Sequence, residues 1–505
     1  MNRGKAWWMA AVAVIALVVV VGPAILPFGA GPTMTPTPAP QSPVTNRTSL
    51  ASTTTEPGEP SAGQHGWSWR RIDPETLEDV ASSSLFLGAP GRGVFSLDGH
   101  SLASFVYRNS DNSEELVVAD LKRWRIRDRL PLEGWVVNDQ SGLVDGPVQA
   151  TFLDETDVVT WIAQLPSEQG SGPVAEDYAL FRYSLGAAQP ELSYGFPPGF
   201  APWEMRLLSR DRIAVFGSPV VFDEEAAESA RWPRLFVIDA ITGRLAWEVQ
   251  IPELAAGHQW KGDSVGSFMH PGLGWDLAGQ RLYVAHADRL AVTVVDLSQG
   301  VVIGEKEISL PTSMEEQLKL LLLPLAQAKL QEGTRRNVRV DPQGERLFVS
   351  GVRWELVHND QGEATDEQQV ALGLTVLDLP TLETVSHLDL PVSDVEISPD
   401  GSILLLTGVW DGQVVDSDPE QSGLYVLDAG TLEQRRHLWP GTIPWIHAFS
   451  NDGSSVYVSV FDGDAHLKHL DLLELDVLAE RVLSPAEQTS FELARRGLTA
   501  IWVER

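Results

Sequence analysis

At 505 residues, 43% of them hydrophobic and 21% charged, the chain has enough apolar material for a large folded core. It contains no cysteine, which excludes disulfides, thiolate zinc sites, iron–sulfur clusters, a cysteine nucleophile and a lipidated-cysteine anchor. The 37 basic residues against 69 acidic ones leave a net charge of −32, which repels phosphate backbones and argues against nucleic acid as a partner. Such acidity keeps an exposed domain soluble; its sharper use would be to recruit cations or basic partners.

Residues 1–5 carry Arg3 and Lys5, and an uncharged apolar run follows from Ala6 to Phe28. At helical rise that run spans roughly 34 Å, enough to cross a hydrocarbon core of about 30 Å. Trp7 and Trp8 fit the cytoplasmic interface, and the positive flank places the N-terminus inside and the remainder outside. The sequence thus predicts a single-pass cell-membrane protein with a transmembrane helix over 6–28. A cleaved signal peptide is the alternative, with Phe28-Gly29-Ala30 as an imperfect cleavage site.

Residues 31–65 hold seven prolines and twelve Ser/Thr with no apolar periodicity, so they read as an extended linker. The sequon Asn46-Arg47-Thr48 lies within it. From Trp67 onward one pattern recurs: a polar Asp/Gly turn, an apolar strand, a variable loop, a second strand ending in an acidic turn, and a last strand. Its clearest copy has Ser398-Pro399-Asp400-Gly401, Ile403 to Thr407, Leu424 to Asp428, then Thr431-Leu432-Glu433. The preceding copy has Asp341-Pro342-Gln343-Gly344, Leu347 to Val349, Leu374 to Asp378, then Thr381-Leu382-Glu383.

Further turns lie at Ser96 to Gly99, Asp276 to Gly279 and Ser450 to Gly453, with degenerate ones at Leu153 to Asp157 and Ser209 to Asp211. Gly and Asp suit them because they tolerate left-handed backbone and cap the bend. The Ser-Pro-Asp-Gly turn before an apolar strand resembles the bacterial WD40-like, YVTN-type and TolB-type β-propeller repeats. That resemblance implies an all-β fold, a single β-propeller over 67–505, and by itself no activity. Seven full copies are countable. Phe491 to Val503 reads as a first half-blade and Trp69 to Val80 as a second half, so pairing them closes eight blades. If the end pieces only extend existing sheets, the count is seven.

Within the repeats, Ser313 to Glu332 reads as a helical insert, with a Ser313/Glu316 capping box and an apolar stripe through Leu318, Leu321, Leu322, Leu325 and Leu330. Pro324 should kink it. It would either bury the stripe on the propeller or dock a partner or the membrane surface. The segment Leu235 to Trp247 resembles the tryptophan-docking repeat of quinoproteins. Only one copy carries it and the adjacent-cysteine pair is absent, which argues against a quinone.

No Gly-x-Ser-x-Gly elbow, His-Glu-x-x-His or phosphate loop occurs, and no catalytic, cofactor-binding or metal residue is assigned. No cofactor is predicted; Asp462-Gly463-Asp464 and Asp411 to Asp418 offer clustered carboxylates suited to calcium, without an EF-hand pattern. His466 and His469 are the nearest histidine pair, on opposite faces of a strand. The expected function is a binding or scaffolding module in the cell envelope, with a protein or envelope polymer as ligand. Loops 109–115, 138–148, 167–177, 218–234 and 355–371 would form its recognition face. The alternative is an envelope hydrolase or lyase using funnel residues such as His270, Asp276 or His447.

Overall fold

The computed structural model describes residues 68–504, apart from 74, 79–84, 87–88, 97–99, 109–112, 133–149, 154–157, 165–177, 220–227, 262–263, 309–331, 359–363, 380, 409–420, 451, 462–463, 484–491 and 494–499. The expected cytoplasmic start 1–5, span 6–28 and linker 31–65 lie outside the described residues. So does the helical insert 313–332, except for Glu332, which opens a strand instead of closing a helix. Among the described residues there is no α-helix, one 3-10 turn at Glu228–Arg231, and no helix long and apolar enough to cross a membrane.

The architecture is all-β and propeller-like, a succession of antiparallel sheets of mostly four strands. Sheet 1 is Ala89–Phe95, Ser101–Arg108, Ser113–Asp120 and Arg125–Pro131. Sheet 2 is Ala150–Phe152, Val158–Gln164, Tyr178–Ser184 and Glu191–Gly195. Sheet 3 is Phe200–Ser209, Arg212–Pro219, Arg234–Asp239 and Leu245–Gln250. Sheet 4 is Gly272–Asp276, Arg281–Ala285, Ala291–Asp296 and Val301–Glu307.

Sheet 5 has Glu332–Val340, Arg346–His358, Leu374–Asp378 and Thr384–Leu388 as its repeat strands, with three more described below. Sheet 6 is Val392–Ile397, Ile403–Gly408, Leu424–Asp428 and Gln434–Leu438. Sheet 7 is Ile443–Phe449, Ser455–Phe461, Ala465–Asp471 and Val477–Leu483. An eighth, terminal sheet takes Glu492–Leu493 and Ala500–Glu504 from one end of the chain and Ser68–Ile72 and Leu85–Phe86 from the other. Within it Ser68 faces Glu504 and Ile72 faces Ala500 across an antiparallel ladder.

These sheets form because each second and third strand is an apolar run bounded by polar turns. Ile403–Gly408 and the first four residues of Leu424–Asp428 are buried throughout, as strands covered on both faces must be. Among the described residues their side chains make seven apolar clusters, six of them between sheets consecutive in the chain. Val118 and Leu116 of sheet 1 meet Trp161 of sheet 2, and Leu427 and Leu404 of sheet 6 meet Val376 of sheet 5. The seventh sets Leu77, just beyond Ser68–Ile72, among Ala448, Tyr457 and Leu467 of sheet 7. Each fully buried Val, Leu or Phe contributes about 1.5–3 kcal/mol.

The acidic turns share one geometry. Asp73, Asp239, Asp296, Asp428 and Asp471 each accept the amides two and three residues on, and the residue four beyond stands at positive φ. That residue is Leu77, Leu432 or Leu475 in three of them, with φ from 58° to 63°, and Gly243 or Gly300 in two. Leu382 occupies the same place after Asp378, and Trp124 after Asp120. The leucines offset their strain by plugging the apolar layer against the preceding sheet. At Gly300 the contact runs the other way, for the indole of Trp247 lies where a Cβ would stand, 2.5 Å from it. The docking-type tryptophan therefore packs over a glycine of sheet 4.

The segment 355–371, expected as a loop, is instead largely a β-hairpin. Arg346–His358 runs on past the end of sheet 5, and Ala364–Ala371 pairs with its far half. The partner strand, Ala-Thr-Asp-Glu-Gln-Gln-Val-Ala, is mostly polar and lacks the apolar alternation that marks a strand. Beside it a hairpin of Gly257–Lys261 and Ser264–His270 joins in parallel, with Ser267 to His270 paired to Glu332 to Arg335. These strands form an extension of sheet 5, the raised sheet, at the end where its first strand begins. Of the other expected loops, 138–148 and 167–177 lie outside the described residues, 113–115 is strand, and 218–234 includes the 3-10 turn.

Candidate functional site

The first strands of sheets 5 and 6 carry alternating polar residues that face one another. On Glu332–Val340, residues 335, 337 and 339 share one face because strand side chains alternate. That face meets Asp394 and Glu396, which alternate in the same way on the first strand of sheet 6. Arg339 grips Glu396 through two bonds, Nε to Oε2 at 3.0 Å and Nη2 to Oε1 at 2.6 Å. It also donates to Asn337 Oδ1 at 2.9 Å, while Asn337 Nδ2 donates to Asp394 and Arg335 lies 3.5 Å from the same carboxylate. Bidentate guanidinium–carboxylate pairing of this kind fixes geometry as well as charge.

The row continues toward sheet 3. Trp275 Nε1 donates to Glu204 Oε1 at 2.6 Å. Desolvation pushes the Glu204 carboxyl above its usual range, opposed by that indole bond and by the charges of Arg206 and Arg339. The residue as a whole is half-buried, and protein groups surround its carboxyl closely enough for burial to outweigh the two arginines. Glu204 is thus moved toward its neutral form.

Trp203 of sheet 3 stacks on two residues of the raised sheet, His270 at 5.4 Å and 22° and Phe268 at 6.3 Å. Arg336 points to the opposite side from Arg335 and donates to the His286 carbonyl at 3.3 Å. Burial and the neighbouring Arg353 lower its guanidinium to about 10. His286 is buried and bonded to Thr293 Oγ1 at 2.8 Å; burial, then Arg289, lowers its pKa.

The funnel residues named from sequence do not converge. His270 belongs to the aromatic stack, Asp276 caps a turn by accepting the Gly279 amide at 2.7 Å, and His447 bonds Ser459 Oγ at 2.6 Å. His466 and His469 point to opposite faces, the first to Glu480 at 2.7 Å, the second to Ser455 Oγ at 2.7 Å and flat against Tyr457 at 4.5 Å. The calcium candidates lie outside the described residues except Asp464, and among the described residues no three His, Asp or Glu are grouped to hold a metal.

Sequence reasoning missed the Arg339–Glu396 row. A signal was present, since Arg339 and Glu396, Asn337 and Asp394, and Gln343 and Asp400 are each 57 residues apart, one repeat length. Complementary polar residues at one repeat position mark contacts between neighbouring sheets. A search along the chain for local motifs passes over them.

No protein-family model and no curated protein matches the chain. Among solved structures it is similar to a dihydro-heme d1 dehydrogenase, NirN, at 14% identity and a TM-score of 0.45, covering 82% of this chain and 73% of that one. It is similar to the Dos1 propeller at 11% identity and a TM-score of 0.46, covering 86% and 95%. A eukaryotic initiation factor aligns at 10% identity and a TM-score of 0.42, covering 86% and 98%. These likenesses transfer no activity, ligand or partner to the chain.

Proposed function

We propose that the chain is a membrane-anchored, extracytoplasmic binding module of the bacterial cell envelope, a closed ring of eight propeller blades of the WD40-like, YVTN or TolB type. Residues 6–28 would be the single span, with the N-terminus inside, and 31–65 the spacer. Closure is supported by the terminal sheet, which draws on both ends, and by the Leu77 cluster that ties it to sheet 7. The observation that carries the binding reading is the raised sheet on sheet 5, which builds a face that no other described repeat has. Its ligand would be a protein or an envelope polymer, since a chain of net charge −32 repels nucleic acid.

The alternative reading is an envelope enzyme, in which Glu204, held by the Trp275 indole at 2.6 Å and pushed upward by burial, would serve as general acid. A single experiment separates the two readings. Full-length protein in membranes is cross-linked to envelope extract beside a variant whose residues 356–367 are replaced by a two-residue turn. Binding through the raised sheet predicts that the partner captured by the native chain is lost with the hairpin, while the fold is kept. An unchanged capture pattern refutes that face. Turnover of the captured polymer, abolished in Glu204→Gln, would establish the enzyme.

A further inference from the structure

Sheet 1 departs from the repeat at one place. Its first turn ends in His100, where the matching turns have Ser402, Ser454, Glu345 and Gln280. The alignment is fixed by the backbone, because the carbonyls of His100, Ser402, Ser454, Glu345 and Gln280 all accept the amide that follows the turn aspartate. Its second turn has Lys122 and Arg123 after Asp120, where the others have Glu75-Thr76, Ile241-Thr242, Ser298-Gln299, Pro380-Thr381, Gly430-Thr431 and Leu473-Glu474. Two residues into the last strand, at the bulge, it has Arg127, where the others have Ala246, Ile303, Val385, Arg435 and Leu478.

Those departures meet in space. His100, Ser101, Asp120, Lys122, Arg123 and Arg127 line one cavity of about 290 Å³. Asp120 is already engaged: it accepts the Arg123 amide at 2.9 Å and lies 3.7 Å and 4.0 Å from the Arg123 and Arg125 guanidinium groups. Arg127 reaches Ser101 Oγ at 3.4 Å, whereas its counterpart Arg435 turns back to its own turn aspartate, Asp428, at 2.7 Å. The repeats act as an internal control. Residues that hold a blade together recur from sheet to sheet, and these basic residues, which do not recur together, surround a single opening.

We propose that this cavity is an anion site taking the phosphoryl group of a small phosphate monoester. The lining carries the three positive charges of Lys122, Arg123 and Arg127 against the single carboxylate of Asp120, an excess that suits a doubly charged tetrahedral oxyanion better than a singly charged carboxylate. In a protein of net charge −32, such a positive notch also gives an anion one place to approach.

The test is calorimetric titration of the full-length chain at low ionic strength with inorganic phosphate, glycerol 3-phosphate and acetate. Phosphate is expected to bind at millimolar concentrations or tighter and acetate at least tenfold more weakly. A further gain for glycerol 3-phosphate would assign the remaining volume to an ester; equal binding of the two would overturn the ester and leave free phosphate. The pair Lys122→Gly with Arg123→Thr, which borrows the residues of sheet 6, should weaken phosphate binding at least tenfold, and so should Arg127→Gln alone. Arg435→Gln should leave it unchanged. Undetectable phosphate binding, acetate binding as tightly as phosphate, or native affinity in both notch variants would each overturn the proposal.

Discussion

Asp428 shows how far one side chain can be committed to a turn. Its carboxylate accepts from Arg435 at 2.7 Å and from the amides of Gly430 and Thr431 at 3.0 and 2.9 Å, which together hold its pKa at about 2. A carboxyl depressed in the folded state stabilises the fold above its unfolded pKa near 4, and that contribution disappears as pH falls through the folded value. Asp428→Asn should therefore be less stable than the native chain at pH 7, by at most about 1 kcal/mol for so accessible a pair. The difference in urea midpoint should shrink between about pH 4 and pH 2; a constant difference across that range would show that charge is not what the turn uses. The turn aspartates were plain in the sequence, since Asp followed by Thr-Leu-Glu recurs. The Arg339–Glu396 grip was not, because its partners are one repeat apart and meet only when sheets stand side by side.

The acidic turns, taken as elements, use two solutions to one packing problem. Where a leucine stands at positive φ it fills the gap toward the preceding sheet; where glycine stands there, the preceding sheet supplies the filler. Gly300→Ala should expose the second solution, since it adds backbone strain at φ 68° and drives a methyl into the Trp247 indole. The loss should be roughly 2–4 kcal/mol, summing a left-handed non-glycine residue and an overpacked contact. Adding Trp247→Ala should return part of that loss, and a denaturation cycle showing strict additivity would mean that the two do not touch. Sequence reading located these turns but not their backbone, because a leucine gives no sign of left-handed geometry. It also took 355–371 for a loop, since the polar strand Ala364–Ala371 lacks the apolar alternation by which strands are recognised.

For the molecule as a whole, the repeat spacing and the matching half-patterns at the two ends were legible in the sequence, because both follow from turn chemistry and apolar runs. The hairpins on sheet 5 were not legible, because they answer to a surface and not to the repeat. The terminal sheet yields the prediction at this scale. Deleting Ser68–Ile72 leaves Ala500–Glu504 with one ladder unmade and Leu77 without its tether to that strand. The deleted protein should lose cooperativity in urea and elute as larger species in size-exclusion chromatography, as exposed strand edges pair between molecules. A monomer with a native unfolding profile would show that the terminal sheet is dispensable.

The ladder between Ser68–Ile72 and Ala500–Glu504 also orders events during synthesis. The two strands are separated by most of the chain, so at translation rates of about 5–20 residues per second the earlier one waits roughly 20–90 s for its partner. Sheets 1 to 7 draw all their strands from contiguous stretches apart from the raised hairpin, and each can assemble as it emerges. The terminal ladder comes last. A nascent chain halted before residue 500 would hold every complete repeat and still present an unpaired strand, to a chaperone or to another chain.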